Sequence, residues 1–492
     1  MIFNQQRIMT ILAKKHWPYL FMAFLLLLNF ILKIIFLDSR DIAMDEPFTI
    51  FYAQADLKEI FTMLPGENNP PLFFLLLHFW IKIFGISAFS VRFLPFVFSC
   101  LTALMVFQTG RRFFSMKMGM AAALIFTFSN YQLLFAHEAR VYSLFALLTS
   151  CSMYLFMLLR RQPGSRRIML LLSGVNILLL YSHFFGFLVI GIQIIAMLSI
   201  SQYRAKVFKS FMIALGVTLL AYIPYFPVLI SRYSSSAVSG TWVSPPVISD
   251  LYTMLWRYSN APVATVFMIG VLGIAALLWL FRLVKGQNQT SPDSKVLLIW
   301  FLIPYLAMFL ISFIMPVFLD RYTVFISIGY YLLVALALDS LPEKNRIFTA
   351  VSAMAILLMA VTFSPDLDNK RRLKEATGRI ESLKGPGTAV IICPSWLEYG
   401  FAYHHQQDIF RDYRNLRKRL NACGIYPVNG LDELDSNLLN KASSVIFFEE
   451  WATLVDKKNR ILSSLSGTFP FRKEEKVYEN FNIHLFSKKP IP

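Results

Sequence analysis

Apolar runs long enough to cross a hydrocarbon core about 30 Å thick as helices, with every backbone hydrogen bond satisfied internally, recur through the first three quarters of the chain. They predict eleven spans, near 18–37, 87–109, 117–135, 139–159, 168–184, 185–200, 208–230, 262–284, 296–316, 323–341 and 346–363. From about 364 the pattern changes. Charges become frequent, and the strand-like runs Ala389 to Cys393 and Val445 to Phe448 alternate with polar helical stretches at 403–420 and 452–465. Lys476 to Tyr478 and Asn482 to Phe486, on either side of Glu479-Asn480-Phe481, predict a hairpin. The fold class is therefore a polytopic α-helical membrane protein with about eleven transmembrane helices over 1–363. A small α/β domain over 364–492 follows, large enough for a modest core of its own.

The segment 38–86 is more than a connector. Pro47 suits the start of a helix, and Phe48, Phe51, Tyr52 and Ala55 recur at helical spacing opposite Gln54, Lys58 and Glu59, which predicts an amphipathic helix on the membrane surface. The breaker cluster Pro65-Gly66-Glu67-Asn68-Asn69-Pro70-Pro71 comes next. The apolar run Leu72 to Phe84 rises only about 20 Å, too short to span, so it predicts an interfacial or re-entrant helix.

The chain of 492 residues is 56% hydrophobic with a net charge of +18. That charge does not point to nucleic acid, because the basic residues sit in every second loop: Arg111, Arg112 and Lys117; Arg160, Arg161, Arg166 and Arg167; Arg204, Lys206 and Lys209; Arg282, Lys285 and Lys295; Lys344 and Arg346. The alternation predicts a cytoplasmic N-terminus in a multi-pass inner (cell) membrane protein. The Asp45 loop, 231–260 and the C-terminal domain then lie on the extracytoplasmic, periplasmic side. The first span carries no small-residue cleavage site and is expected to remain as an anchor. Cys100 and Cys151 fall inside spans, while Cys393 and Cys423 share the exported tail, where either a disulfide or two free thiols fits.

Charged groups in or beside spans need partners or a wet cavity. The outward ends hold Asp45 and Glu46; His137, Glu138, Arg140 and Tyr142 between spans three and four; His183 between spans five and six; and Asp320, Arg321 and Tyr322 between spans nine and ten. Carboxylates, guanidinium groups and imidazoles on one side of a membrane suit transfer from a membrane-borne anionic donor to an acceptor hydroxyl. Arginine grips phosphate and a carboxylate takes the proton. There is no Walker loop and no dinucleotide fingerprint.

Asp45-Glu46 is followed by Asn69-Pro70-Pro71-Leu72-Phe73-Phe74, leading into Trp80 and Phe84-Gly85. Next come Arg92-Phe93-Leu94-Pro95, Gly110-Arg111-Arg112-Phe113-Phe114 and Glu138-Ala139-Arg140-Val141-Tyr142-Ser143-Leu144. This order resembles the GT-C glycosyltransferases, and most of all the family 39 branch of protein O-mannosyltransferases and lipid A aminoarabinose transferases. Tyr181-Ser182-His183-Phe184-Phe185-Gly186 and Asp320-Arg321-Tyr322 resemble later signposts of its bacterial members. The resemblance implies a GT-C fold and an inverting transfer of a sugar from a polyprenyl-phosphate donor to a hydroxyl on a protein, lipid A or a glycan. It makes Asp45 the general base, with Glu46 orienting the acceptor or a neighbouring cation. It makes Arg140, then Arg321, the stabiliser of the leaving phosphate, with His137, Glu138, Tyr142, His183, Tyr322 and Asn69 around the donor. Where the family has His-Pro-Pro this chain has Asn69-Pro70-Pro71, so an imidazole role there is lost. A divalent metal is possible, with no ligand set evident.

Plainer readings stand beside these. Asp45 could cap a helix, Arg140 could snorkel to headgroups, Asp320 could neutralise Arg321, and His183 could be a packing residue. His404-His405 is expected to be solvated surface. Asp366-Leu367-Asp368 mimics a metal-binding pair but sits on a linker, and the sequon Asn288-Gln289-Thr290 lies in a cytoplasmic loop. A flippase or transporter of lipid-linked sugars is the alternative function, although the polar groups gather at outer ends rather than at the midplane and no internal repeat is visible.

Overall fold

The computed structural model describes residues 2–491 except 64–66, 68, 240–243, 288–289, 341–344, 369–370 and 477–479. Part of the Pro-Gly breaker cluster, Asn288-Gln289 of the sequon and Val477-Tyr478 of the expected hairpin strand lie outside the described residues. The helices of the first 361 residues are α1 (Ile2–Ile34), α2 (Asp45–Ala53), α3 (Leu57–Met63), α4 (Leu72–Phe84), α5 (Ala88–Phe113), α6 (Met116–Thr127), α7 (Asn130–Ala136), α8 (Tyr142–Arg161), α9 (Arg166–Ser182), α10 (Gly186–Ser199), α11 (Ser201–Tyr222), α12 (Phe226–Ser239), α13 (Ser249–Tyr258), α14 (Pro262–Val284), α15 (Pro292–Ile311), α16 (Val324–Asp339) and α17 (Asn345–Val361). Helices stand at all eleven expected span positions. Among the described residues six helices are long and apolar enough to cross a membrane, or seven if α6 and α7, bent by 62°, form one span. The eleven-span expectation exceeds this number because α9, α10, α16 and the described part of α17 are shorter than 18 residues.

By contacts the chain divides into two compact units. One comprises 1–35, 61–73 and 93–365; the other comprises 36–60, 74–92 and 366–492.

In the first unit α16 is apolar on nearly every side, with Val324 to Val334 buried throughout, as expected of a helix surrounded by helices. Its Gly329 lets the ring of Trp300 on α15 come close, since a Cβ there would stand 3.1 Å from Trp300 Cγ. α5 and α6 approach still more closely: a Cβ on Gly110 would lie 2.5 Å from Gly119 Cα. Polar groups inside the unit are bonded to one another, which apolar surroundings demand. Asn176 and Gln193 share Ser152. The buried Asp293 accepts from Arg160, Arg161 and Tyr203, tying α15 to α8 and α11.

The second unit contains α18 (Leu373–Leu383), α19 (Leu397–His405), α20 (Gln407–Arg411), α21 (Leu416–Ala422), α22 (Ser436–Lys441), α23 (Arg460–Thr468) and a five-stranded sheet. The strands are β1 (Thr388–Cys393), β2 (Ile425–Pro427), β3 (Ser444–Glu449), β4 (Phe471–Lys476) and β5 (Asn482–Ser487), in the spatial order β2-β1-β3-β5-β4. β1 pairs in parallel with β2 and β3, and β5 is antiparallel to β3 and β4. One face of the sheet carries Ile391, Val445, Phe447 and Phe486 onto Ile461 and Leu465 of α23. The other brings Phe448 to Phe401 of α19.

The expected hairpin is present, but its first strand lies earlier than 476–478 because the charged run Phe471 to Lys476, suited to a sheet edge, hides a strand pattern. The predicted helix 403–420 is three helices, broken where Gln406 takes an extended conformation and again between Arg411 and Leu416. The stretch 452–465 is a short 3₁₀ turn and then α23. All four cysteines are free, and Cys393 is pushed up to about 12 by burial and then by nearby Asp456 and Glu449.

Segments of the first loop belong to the core of this second unit. The face of α2 expected to rest on a membrane packs instead against aromatic rings: Phe51 meets Tyr399, Phe410 and Tyr413, and the hydroxyls of Tyr52 and Tyr399 are 3.2 Å apart. His404-His405 is not solvated surface either. His404 Nε2 donates to the Ile42 carbonyl at 2.8 Å, and His405 pairs with Glu381. Tyr403 donates to the Ile86 carbonyl, and the Lys374 amide to Asp41.

Candidate active site

The acid pair opens α2. Its N-cap is Met44, held at φ 58° and ψ −122°, a strained conformation for a residue with a Cβ. No side chain caps this helix end, so Asp45 is a first-turn residue rather than the cap. Its backbone carbonyl accepts from the Thr49 hydroxyl at 2.9 Å.

Glu46 is buried and faces Arg92 at the start of α5. Arg92 Nε donates to Oε1 at 2.8 Å and Nη2 to Oε2 at 2.7 Å, a bidentate ion pair. The same guanidinium donates through Nη1 to the carbonyls of Leu37 and Arg40, and through Nη2 to that of Asp41. Its five N–H donors thus meet five acceptors, at 1% exposure. Arg92 fastens both the chain entering the first loop and the helix that carries Asp45. The sequence marked Arg92 as part of a motif without giving it this work. The available signal was an arginine four residues into an apolar helix, which needs a buried partner.

The remaining candidates stand in the first unit. Asn69 is buried, with its amide 3.5 Å from the equally buried Glu67. His137 caps α7 and donates from Nε2 to the Lys33 carbonyl at 2.6 Å, which holds its ring. Arg140 lies in the turn before α8, with its side chain buried and its amide donating to the Glu138 carbonyl at 2.7 Å. Its charge acts on His183, at the end of α9. The His183 ring stacks on Phe145 at 4.8 Å, with Tyr142 at 6.2 Å and Tyr322 at 6.1 Å. The structure therefore brings together Arg140, Tyr142, His183 and Tyr322 from three separate turns.

The Phe185 amide donates to His183 Nδ1, which leaves the proton of the neutral ring on Nε2. That Nε2 is buried and has no hydrogen-bond partner among the described residues. A packing imidazole would be expected to satisfy its donor, whereas one prepared for an anionic or hydroxylated ligand would not.

Arg321 occupies the short turn Asp320–Tyr322. Asp320 binds Arg257 of α13 through Oδ2 and accepts the Arg321 amide at Oδ1, so its carboxylate is directed to Arg257. Tyr131 also donates to the Asp320 carbonyl, fixing the turn. Among the described residues no three His, Cys, Asp or Glu side chains gather as a metal site, so the possible divalent ion gains no ligand set.

Residues 68–230 match the family described as dolichyl-phosphate-mannose-protein mannosyltransferase. A search of curated proteins finds no match. Among solved structures, ArnT from Cupriavidus metallidurans in the apo state superposes with a TM-score of 0.62 at 13% identity, covering 98% of this chain and 100% of that one. The same protein bound to undecaprenyl phosphate gives 0.61 at 13% identity over 97% and 99% of the two chains. The oligosaccharyltransferase AglB from Archaeoglobus fulgidus, in complex with an inhibitory peptide and a dolichol-phosphate, gives 0.53 at 11% identity, covering 90% of this chain and 70% of that one. The family match takes in the Asn69-Pro70-Pro71, Arg92 and Glu138-Ala139-Arg140 motifs, and the chain shares the fold of ArnT along almost its whole length.

Proposed function

We propose that the chain transfers a sugar, with inversion, from a polyprenyl-phosphate donor to an acceptor hydroxyl on the extracytoplasmic face of the membrane, with its N-terminus cytoplasmic. Asp45 takes the proton of the acceptor hydroxyl as its oxygen attacks the anomeric carbon. The bond from that carbon to the phosphate oxygen breaks, and the phosphate leaves with the electron pair. Arg140 offsets the charge on the departing phosphate, with Arg321 as a second cation. His183 Nε2, Tyr142 and Tyr322 supply donors and an aromatic wall on the donor side, while Asn69, His137 and Glu138 shape it. Glu46 acts through Arg92, as a positioning residue.

The observation that carries this reading is the buried Glu46–Arg92 clamp beneath Asp45. A purely structural loop has little need to hold one acid of a pair, at the first turn of a strained helix, by two hydrogen bonds from an arginine that also grips three backbone carbonyls. The crystal of ArnT with undecaprenyl phosphate supports a lipid-phosphate donor for a chain of this fold. Purified protein in liposomes with a labelled polyprenyl-phosphate sugar tests the reading. Label should move to an added acceptor; label that crosses the bilayer still attached to its carrier would show a flippase instead.

A further inference from the structure

A cavity in the first unit is lined by none of the candidate site residues. It has a volume of about 700 Å³ and is enclosed by α14, α15 and α16. It exists because small residues, Ala275 and Ala276 on α14 and Ala337 on α16, stand where larger side chains would fill the space. Its inner part is apolar, lined by Leu272, Phe301 and Leu333. Lining residues Leu302 and Trp279 are each more than 40% exposed, so the cavity opens sideways, toward whatever surrounds the helices.

One end of the cavity is polar. Arg282, Gln287, Ser294 and Ser340 stand there, with Trp279 donating from its indole to Thr290 at 2.6 Å. Arg282 is the one charged residue among the described lining residues, and Lys285 and Lys295 follow close in the chain. The nearby Asp293 does not cancel this charge, because Arg160, Arg161 and Tyr203 already surround it. Leu272 and Arg282 are ten residues apart on one helix, about 15 Å, or half the thickness of a hydrocarbon core.

We infer that the α14–α15–α16 cavity binds an anionic glycerophospholipid, with one acyl chain beside Leu272 and Phe301 and the phosphate on Arg282. Water would lie poorly in a space lined this way, and the hydrocarbon that opens onto it supplies acyl chains at high concentration. The guanidinium selects phosphate, and the hydroxyls of Ser294 and Ser340 add acceptors and donors at the same depth. The site is separate from the donor residues: α16 begins just after Tyr322 and first lines the cavity at Leu333, about 14 Å further along the helix. The inference rests on these helices spanning a membrane, and does not depend on the proposed transfer.

The test uses the full chain in nanodiscs containing phosphatidylcholine, with a minor fraction of brominated-chain phosphatidylglycerol or brominated phosphatidylcholine. Quenching of Trp279 is taken as the difference between wild type and Trp279→Phe. The anionic brominated lipid should quench at about five-fold lower fraction than the zwitterionic one. Arg282→Gln should remove that preference, since one basic group near phosphate is worth about 1 kcal/mol. Ala276→Phe, which fills the cavity, should abolish quenching by both while the elution profile on gel filtration stays that of wild type. Equal quenching by the two lipids in wild type, a preference that survives Arg282→Gln, or displacement by polyprenyl phosphate more readily than by phosphatidylglycerol would overturn the proposal.

Discussion

At the scale of single residues, the first loop depends on Arg92. Removing one partner of a buried ion pair leaves the other charged without solvent, at a cost of about 3–5 kcal/mol. Arg92→Ala is therefore expected to lower the melting temperature more than Glu46→Gln, which keeps an acceptor oxygen for the guanidinium. Thermal unfolding followed by intrinsic fluorescence checks the order, and equal shifts would contradict it. Glu450 offers a second prediction. Burial, opposed by Arg371 and reinforced by Glu449, pushes its carboxyl up to about 7, and its Oε1 has no hydrogen-bond partner among the described residues. A folded-state value above the unfolded one means that this group's contribution is whole below about pH 4.5 and is lost as pH rises through 7, by roughly 3 kcal/mol. Glu450→Gln should thus stabilise the protein at pH 8 and have little effect at pH 4.5, as melting curves at the two values would show. Neither Arg92 nor Glu450 could be assigned from the chain alone, because the need for a partner is visible in sequence but its identity is a product of folding. Asp45, Arg140 and His183 stand out in the chain by contrast as candidates, since each lies at the edge of an apolar run.

At the scale of elements, the approach of α5 and α6 is set by two glycines. A Cβ at Gly119 would lie 2.7 Å from the Phe107 carbonyl oxygen and from the Arg111 amide, both backbone atoms that cannot swing aside. Gly119→Val is expected to cost about 1–3 kcal/mol through overpacking, whereas Gly174→Val, with nothing within 4 Å, should cost far less. Parallel thermal denaturation of the two variants checks this. The positions of the long apolar helices were readable because hydrophobic length is a one-dimensional property, although their number as spans was not. The tail was readable only in part. β3, buried on both faces, shows as a continuous apolar run, while β4 is masked by its charges and β2 has only three residues. α2 was placed correctly and its partner was not: an apolar face announces that something will cover it, not whether that is lipid or Tyr399 and Phe410.

At the scale of the whole molecule, the chain is continuous but its cooperative units are not. The segment bearing Asp45 shares a core with the C-terminal sheet, through Phe51, Tyr399, His404 and the tight fit of Gly400 against Leu373 and Pro47. Units that share packing tend to open together. Phe447→Ala, in the core of the sheet, is therefore expected to speed hydrogen exchange of amides at 46–53 while leaving those of α16 unchanged. Uniform protection of 46–53 in that variant would contradict the shared core. The boundary near 364 could be drawn from composition, but this pairing of the first loop with the tail leaves no trace in either segment's pattern.

The central claim is that Asp45 removes the acceptor proton while Glu46 and Arg92 hold it in place. Its most direct test is sugar transfer from a labelled polyprenyl-phosphate donor in proteoliposomes, comparing wild type with Asp45→Asn at matched melting temperature. A general base contributes about 10²–10⁴-fold to rate, so the account predicts a loss of at least about a hundred-fold, with donor binding retained. Transfer by Asp45→Asn at the wild-type rate would contradict it.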